Sequence, residues 1–146
     1  MVGLRWTGLT EKERDAFLGN GGTGVIAFVD RPDESPAAFP VSYGYAASAG
    51  DFYFRLSFPE GTSKNEFVDH PMTFVTYDRT ERGWWSIVAR GCLEELDELP
   101  PDSVPIQTMW AVEIPTVDIF DQPREEIPFH DFRLQPKKLT GRKEIG

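Results

Sequence analysis

The residues with the clearest chemical potential lie close together in the middle of the chain. Asp51-Phe-Tyr-Phe-Arg-Leu-Ser57 alternates apolar and polar side chains. As a strand it delivers Tyr53, Arg55 and Ser57 to one face and Phe52, Phe54, Leu56 and Phe58 to the other. Gly61-Thr-Ser-Lys-Asn-Glu66 follows, with Ser63 and Glu66 in capping-box spacing. This predicts a short helix over 64–69, ended by Pro71. A helix N-terminus offers free amide donors and the positive end of its dipole. Hydroxyls at Thr62 and Ser63, the ammonium of Lys64 and the planar fork of Arg55 add to it. Arg55, Ser57, Thr62, Ser63 and Lys64 therefore make a workable cradle for one phosphate group. The competing reading is structural: Ser63 only caps, Lys64 is solvated and Arg55 pairs with a carboxylate.

Other reactive residue types give weaker patterns. The single cysteine, Cys92, excludes an intrachain disulfide and a cysteine-based zinc site, and reads as a small strand residue. His70 and His130 are far apart and fit no metal-ligand spacing. Glu94, Glu95, Asp97 and Glu98 read as a solvated strand end. Trp84, Trp85 and Trp110 are suited either to wall a flat heterocycle or to fill a core or dimer interface. Gly19-Asn-Gly-Gly-Thr-Gly24 matches G-x-G-x-x-G literally. It follows a predicted helix and precedes a predicted strand, the reverse of a dinucleotide fingerprint, so the expectation is a loop.

The elements that must position these groups are mostly strands. Leu9 to Leu18 reads as a helix with a Thr10/Glu13 capping box, stopped by Gly19. Strands are expected at 25–30, 39–46, 52–58, 72–77, 84–96 and 108–120, with a proline-rich connection over 99–105. The hairpin joining the second and third is short. Residues 121–146 read as an irregular C-terminal tail with one short strand at 132–134, packing on a dimer. Six strands with short turns and two small helices predict a mainly β, six-stranded antiparallel barrel in one domain spanning 1–146.

Composition agrees. With 146 residues and 40% apolar content the chain can bury a sizeable core, and its 11 Phe, 4 Trp and 4 Tyr suit strands and flat ligands. The net charge of −9 argues against nucleic acid as a partner. An acidic balance with little lysine also resembles proteins of salt-loving organisms. No run of about 18 apolar residues exists, and the N-terminus has neither a basic region nor an apolar signal core. A cytoplasmic protein without membrane contact is expected.

Four segments in this order resemble the pyridoxamine 5′-phosphate oxidase-like, FMN-binding split-barrel family. They are the leading helix Leu9–Leu18, the strand Phe39-Pro-Val-Ser-Tyr-Gly-Tyr45, the stretch from Phe52-Tyr-Phe-Arg-Leu-Ser57 through Ser63-Lys64 to His70-Pro71, and the strand Trp84–Glu94 with its Val88-x-x-Gly91-x-x-Glu94 pattern. The resemblance implies FMN as cofactor and a homodimer with flavins at the subunit interface. It implies that Arg55 and Leu56 flank the flavin and that Ser63 and Lys64 bind its phosphate. The strand carrying Val41, Ser42 and Tyr43 then runs beside the ring, with Ser86 near it. Leu139–Lys143 contributes across the dimer. Ser63 stands where the full motif has a second cation, and Gly141-Arg142 only faintly echoes the basic C-terminal motif of the oxidase itself. The implied activity is an FMN-dependent oxidoreductase of unassigned, non-pyridoxamine substrate, with a nicotinamide cofactor as a possible donor. Alternatives are a flavin-binding module without turnover, as carrier, sensor or scavenger, and a split barrel using haem or a deazaflavin.

Overall fold

A computed structural model of the chain describes residues 5–29, 35–57, 68, 70–116 and 128–145. Of the predicted helix over 64–69 only Val68 is among these residues, in an isolated bridge to Leu93, and Thr62, Ser63 and Lys64 lie outside them. In chain order the elements are β1 (Trp6–Gly8), α1 (Glu11–Leu18), β2 (Gly21–Phe28), β3 (Ala37–Ala46), β4 (Asp51–Leu56), β5 (Pro71–Thr80), β6 (Gly83–Glu95), α2 (Val104–Ala111), β7 (His130–Leu134) and β8 (Lys138–Glu144). The strands form one antiparallel sheet in the order β1-β8-β6-β5-β2-β3-β4-β7, and a further β6–β7 pairing closes β2 to β7 into a ring. The barrel is therefore mainly β and antiparallel, as expected, with eight strands among the described residues rather than six, six of them in the ring.

The ring closes because β6 divides one edge between two partners. Its residues 85–90 pair with β8, its residues 93–95 pair with β7, and its other edge runs along β5 from Gly83 to Cys92. The alternation of β6 follows from this. Trp85, Ile87, Ala89 and Leu93 face the core, whereas Trp84, Ser86, Val88 and Arg90 face out.

The core is aromatic. Phe74 is fully buried, and its ring centroid lies 5.1 Å from Tyr43 and 5.2 Å from both Phe52 and Phe54. Such tilted pairs contribute beyond their burial. Leu18 at the end of α1 caps one end of this cluster. Helix α1 begins with the expected capping box: Thr10 and Glu13 each accept from the other's backbone N–H.

Three expectations fail. Gly21–Gly24 is strand rather than loop, paired with Gly44–Val41 of β3. A Cβ at Gly21 would lie 1.9 Å from the Glu113 carbonyl oxygen, so the glycine there serves close backbone approach. Residues 104–111 are helix α2, not the start of a strand over 108–120. Ser103 takes the N-cap position and Pro105 falls in the first turn, where its missing N–H is harmless. Ile106 and Met109, one helical turn apart, pack with Ala46, Tyr53 and Leu96 on the outer side of β3 and β4. Third, the irregular tail contains two strands, β7 and β8, inserted in the chain's own sheet.

Tyr43 and Tyr45 point into the barrel. Tyr43 donates to the Leu18 carbonyl at 3.2 Å and Tyr45 to Asp15 Oδ1 at 2.7 Å. Burial is the main reason each phenol is pushed up to about 12. Both values exceed the ordinary 10 of an unfolded tyrosine. Their stabilisation is thus intact below about pH 10 and lost as pH rises from there toward about 12. Ultraviolet difference titration should find these two phenolates only at the pH of alkaline unfolding. Phe74→Ala should cost about 3–5 kcal/mol in urea denaturation, since three rings lose their shared neighbour.

Candidate functional site

Two groups of residues on the outside of the barrel can hold a ligand. The first surrounds Arg55. The strand alternation turns Arg55 outward between buried Phe54 and Leu56. Its Nε donates to Asp131 Oδ1 at 2.9 Å, so the carboxylate pairing anticipated as the competing reading is present. Asp131 in turn donates its backbone N–H to Asp97 Oδ1 at 2.9 Å, and Asp97 Oδ2 lies 2.7 Å from His130 Nδ1. The expected acidic strand end is thus a structural network: Glu94 pairs with Arg133, Asp97 with His130. Among the described residues no metal-ligating cluster forms.

Ser42, Arg55 and Ser86 share the outward face of their strands. Val41, Tyr43 and Leu56 are core residues, so from these positions only main-chain atoms can reach a ligand on the outside. Ser57 is half-buried just past the end of β4.

The second group is a slot of about 360 Å³ at the β5–β6 hairpin, where β1 and β8 complete the sheet. Trp6, Tyr77 and Trp84 wall it with rings that are 55%, 64% and 49% exposed. Ser86 sits between Tyr77 and Arg142 across the strands and opens into it. The Arg142 guanidinium stacks 4.8 Å from the Trp6 ring centroid. Trp85 closes the slot from the core side, and its indole Nε1 is buried without a hydrogen-bond partner among the described residues. Lys143 lies 5.7 Å from that indole and is held by Glu13 of α1. This hydrogen bond is the main reason the Glu13 carboxyl falls below its ordinary value. Glu144, the slot's one carboxylate, accepts from the Trp84 backbone N–H at 2.9 Å. The tryptophans are therefore divided: Trp84 walls the slot, Trp85 closes it from beneath, and Trp110 stands exposed on α2. Trp6, Tyr77 and Arg142 were not legible as partners of Trp84, because β1 and the β8 register bring them there.

A flat aromatic slot with convergent donors on an antiparallel split barrel has relatives. The family model described as pyridoxamine 5′-phosphate oxidase matches residues 10–143. The chain belongs to this family. In structure it is similar to a candidate pyridoxamine 5′-phosphate oxidase from Corynebacterium glutamicum, at 23% identity and TM-score 0.66, covering 100% of this chain and 98% of that one. It is similar to an FAD-binding protein from Mesorhizobium loti, at 22% identity and TM-score 0.65, covering 99% and 100%. An FAD and haem binding protein from Mycobacterium smegmatis matches at 14% identity and TM-score 0.58, covering 97% and 74%. No curated protein matches. At these identities the structural likenesses establish the family fold. Among the described residues no helix is long and apolar enough to cross a membrane.

Exposed rings that serve a ligand contribute little to folding. Trp84→Ala should change stability by about 0.5 kcal/mol or less. Trp85→Ala, one position along and buried, should cost about 3–5 kcal/mol. Urea denaturation of the two variants checks the contrast.

Proposed function

We propose that the chain is an FMN-dependent oxidoreductase that acts as a homodimer on a substrate still to be identified. The observation that carries this reading is the aromatic slot around Ser86. A flat ring system fits that slot: its walls are the rings of Trp6, Tyr77 and Trp84, and its edge presents Ser86 and Arg142. Membership of the oxidase family, and relatives described as flavin-binding, support a flavin rather than another flat molecule.

A second copy is supported by the layout. Arg55 lies on β4 and Ser86 on β6, separated on one side of the ring by β3, β2 and β5 and on the other by β7, which meets β6 at Leu93–Glu95, well along the strand from Ser86. Between them the outer face carries Val25, Val75 and Val88 in register, all half-buried. Two copies meeting on this face bring one copy's phosphate cradle to the other's slot. In this arrangement Arg55, Ser57, Thr62, Ser63 and Lys64 grip the phosphate, and Arg55 exchanges its Asp131 partner for it. Ser42 and the backbone of Val41, Tyr43 and Leu56 line the ring from the same copy.

The flavin, when bound, supplies the electron transfer chemistry. The chain's own residues bind and orient it, and Trp6, Tyr77 and Trp84 exclude water from it. Lys143 and Glu144 are engaged with Glu13 and the Trp84 backbone. That engagement favours the second reading, a flavin carrier without turnover.

Purified protein should show flavin absorbance, or gain it on incubation with FMN; a colourless protein after incubation overturns the assignment, and a haem spectrum redirects it. Arg55→Ala with Lys64→Ala should weaken FMN binding, each lost charge-assisted bond costing about 1.5–3 kcal/mol. Arg55 should fall at the low end, since it must leave Asp131. Reduction of bound flavin by a nicotinamide cofactor, then reoxidation by an acceptor, separates enzyme from carrier.

A further inference from the structure

We infer that the chain carries a second, separate pocket for an organic phosphate, built on Arg90, Lys137 and Lys138 where β6 changes partners. Arg90 and Lys138 are cross-strand partners, and the Lys137 backbone N–H donates to the Arg90 carbonyl at 2.8 Å. Lys138 thus stands opposite Arg90 on the neighbouring strand, and Arg90 and Lys137 border the same cavity. Like charges directly opposite on neighbouring strands repel. Carboxylates are abundant in this chain, at 24 against 15 cations, and Arg14, Arg55, Arg133 and Lys143 each have an acidic partner. No ion pair engages Arg90, Lys137 or Lys138 among the described residues.

A cavity of about 610 Å³ opens beside Arg90 and Lys137, well within the size of small-ligand sites. Its other walls are Phe28, Val29, Pro36, Pro71 and Met72, with the Thr73 hydroxyl next to Arg90 in the β5–β6 register. Among the described residues no carboxylate lines it. The combination fits a molecule with an apolar or flat body and a polyanionic head. A diphosphate matches the two lining cations, with Lys138 behind Arg90, better than a single carboxylate does, and Arg90 can grip it with two parallel N–H donors. The pocket is distinct from the aromatic slot, which lies at the hairpin end of β5 and β6, whereas this one lies toward Pro71 and Cys92. A nucleotide-type electron donor or a phosphorylated substrate has this chemistry. The inference stands whether or not a flavin occupies the other site.

The test is calorimetric titration of the full chain as purified with ADP, adenosine and inorganic pyrophosphate. ADP should bind at least tenfold more tightly than adenosine, and pyrophosphate should compete with it. The triple variant Arg90→Gln, Lys137→Gln, Lys138→Gln should lose at least tenfold in ADP affinity, with each missing charge contact worth roughly a factor of ten. It should keep any chromophore bound by the parent. Equal affinity for ADP and adenosine overturns the inference, as does undiminished ADP binding by the variant. Loss of a chromophore that Arg55→Ala retains also overturns it, because the three cations would then belong to the flavin. Should the variant not fold, amide shift mapping of the parent decides: shifts centred on Thr73, Arg90 and Cys92 support the pocket, and shifts centred on Trp84 and Arg142 overturn it.

Discussion

The constraint on which the molecule depends is that one strand, β6, must satisfy two partners along a single edge. The change of partner falls at Gly91 and Cys92, between the stretch paired with β8 and the stretch paired with β7. A Cβ at Gly91 would lie 2.9 Å from Leu134 Cδ1 and 3.2 Å from the Gln135 carbonyl oxygen. Glycine there lets the turn after β7 close over the strand, so the chain leaves the ring and returns as β8 on the same edge. Ring closure and sheet extension therefore share one cause. Closure buries Leu93 against Leu134, and extension sets Arg142 beside Ser86 and Lys138 beside Arg90. Both ligand-binding proposals rest on that second consequence.

The interior decides where function can be. Phe52, Phe54, Phe74 and Phe132 are fully buried, and Tyr43, Tyr45 and Ile87 fill the space around them. Interiors packed this way leave no room for a ring-sized guest. Helix α2 and the segment after it then cover the outside of β3 and β4 at one end, where Val112 sits against Gly44. Among the described residues the outer face of β2, β5, β6 and β8 remains uncovered, and both pockets border it. A residue such as Val41 can be close to a ligand in sequence terms and still offer it only backbone.

Much of this architecture was legible in the sequence, for identifiable reasons. Period-two alternation exposed β3 to β6, because in each strand residues of one face alternate into the aromatic core. The α1 capping box was legible because Thr10 and Glu13 act locally. The misread elements are those whose partners lie far along the chain. Gly21–Gly24 has no side-chain pattern, and only β3 on one side and Glu113 on the other make it a strand. Helix α2 offers an apolar stretch that alternates as well as it cycles, and packing against Tyr53 and Leu96 decides for the helix. Strand β8 is polar by composition and ordered by pairing with β6. For the site, Arg55 could be singled out as an outward strand cation just ahead of a capping box, and Ser86 because a family position marks it. The slot's other walls come from β1, β5 and β8, whose juxtaposition is a property of register.

Charge ties these threads together. The chain's net charge is −9, yet the part of the outer face beside β8 carries Arg79, Arg90, Lys138 and Arg142, with Glu144 at its rim and Glu94 farther along β6 engaged by Arg133. Cations gathered on one part of the sheet favour an anion locally even in so acidic a chain. Distant repulsion of an anion is screened over about 8–10 Å at ordinary salt, while contact charges act inside that length. Salt thus removes the obstacle to anion approach more than it removes the grip. Two such faces brought together would repel through their own cations. An anionic cofactor between them reverses the sign of that interaction, so on the proposed arrangement phosphate binding and pairing of the copies are one linked equilibrium, each strengthening the other.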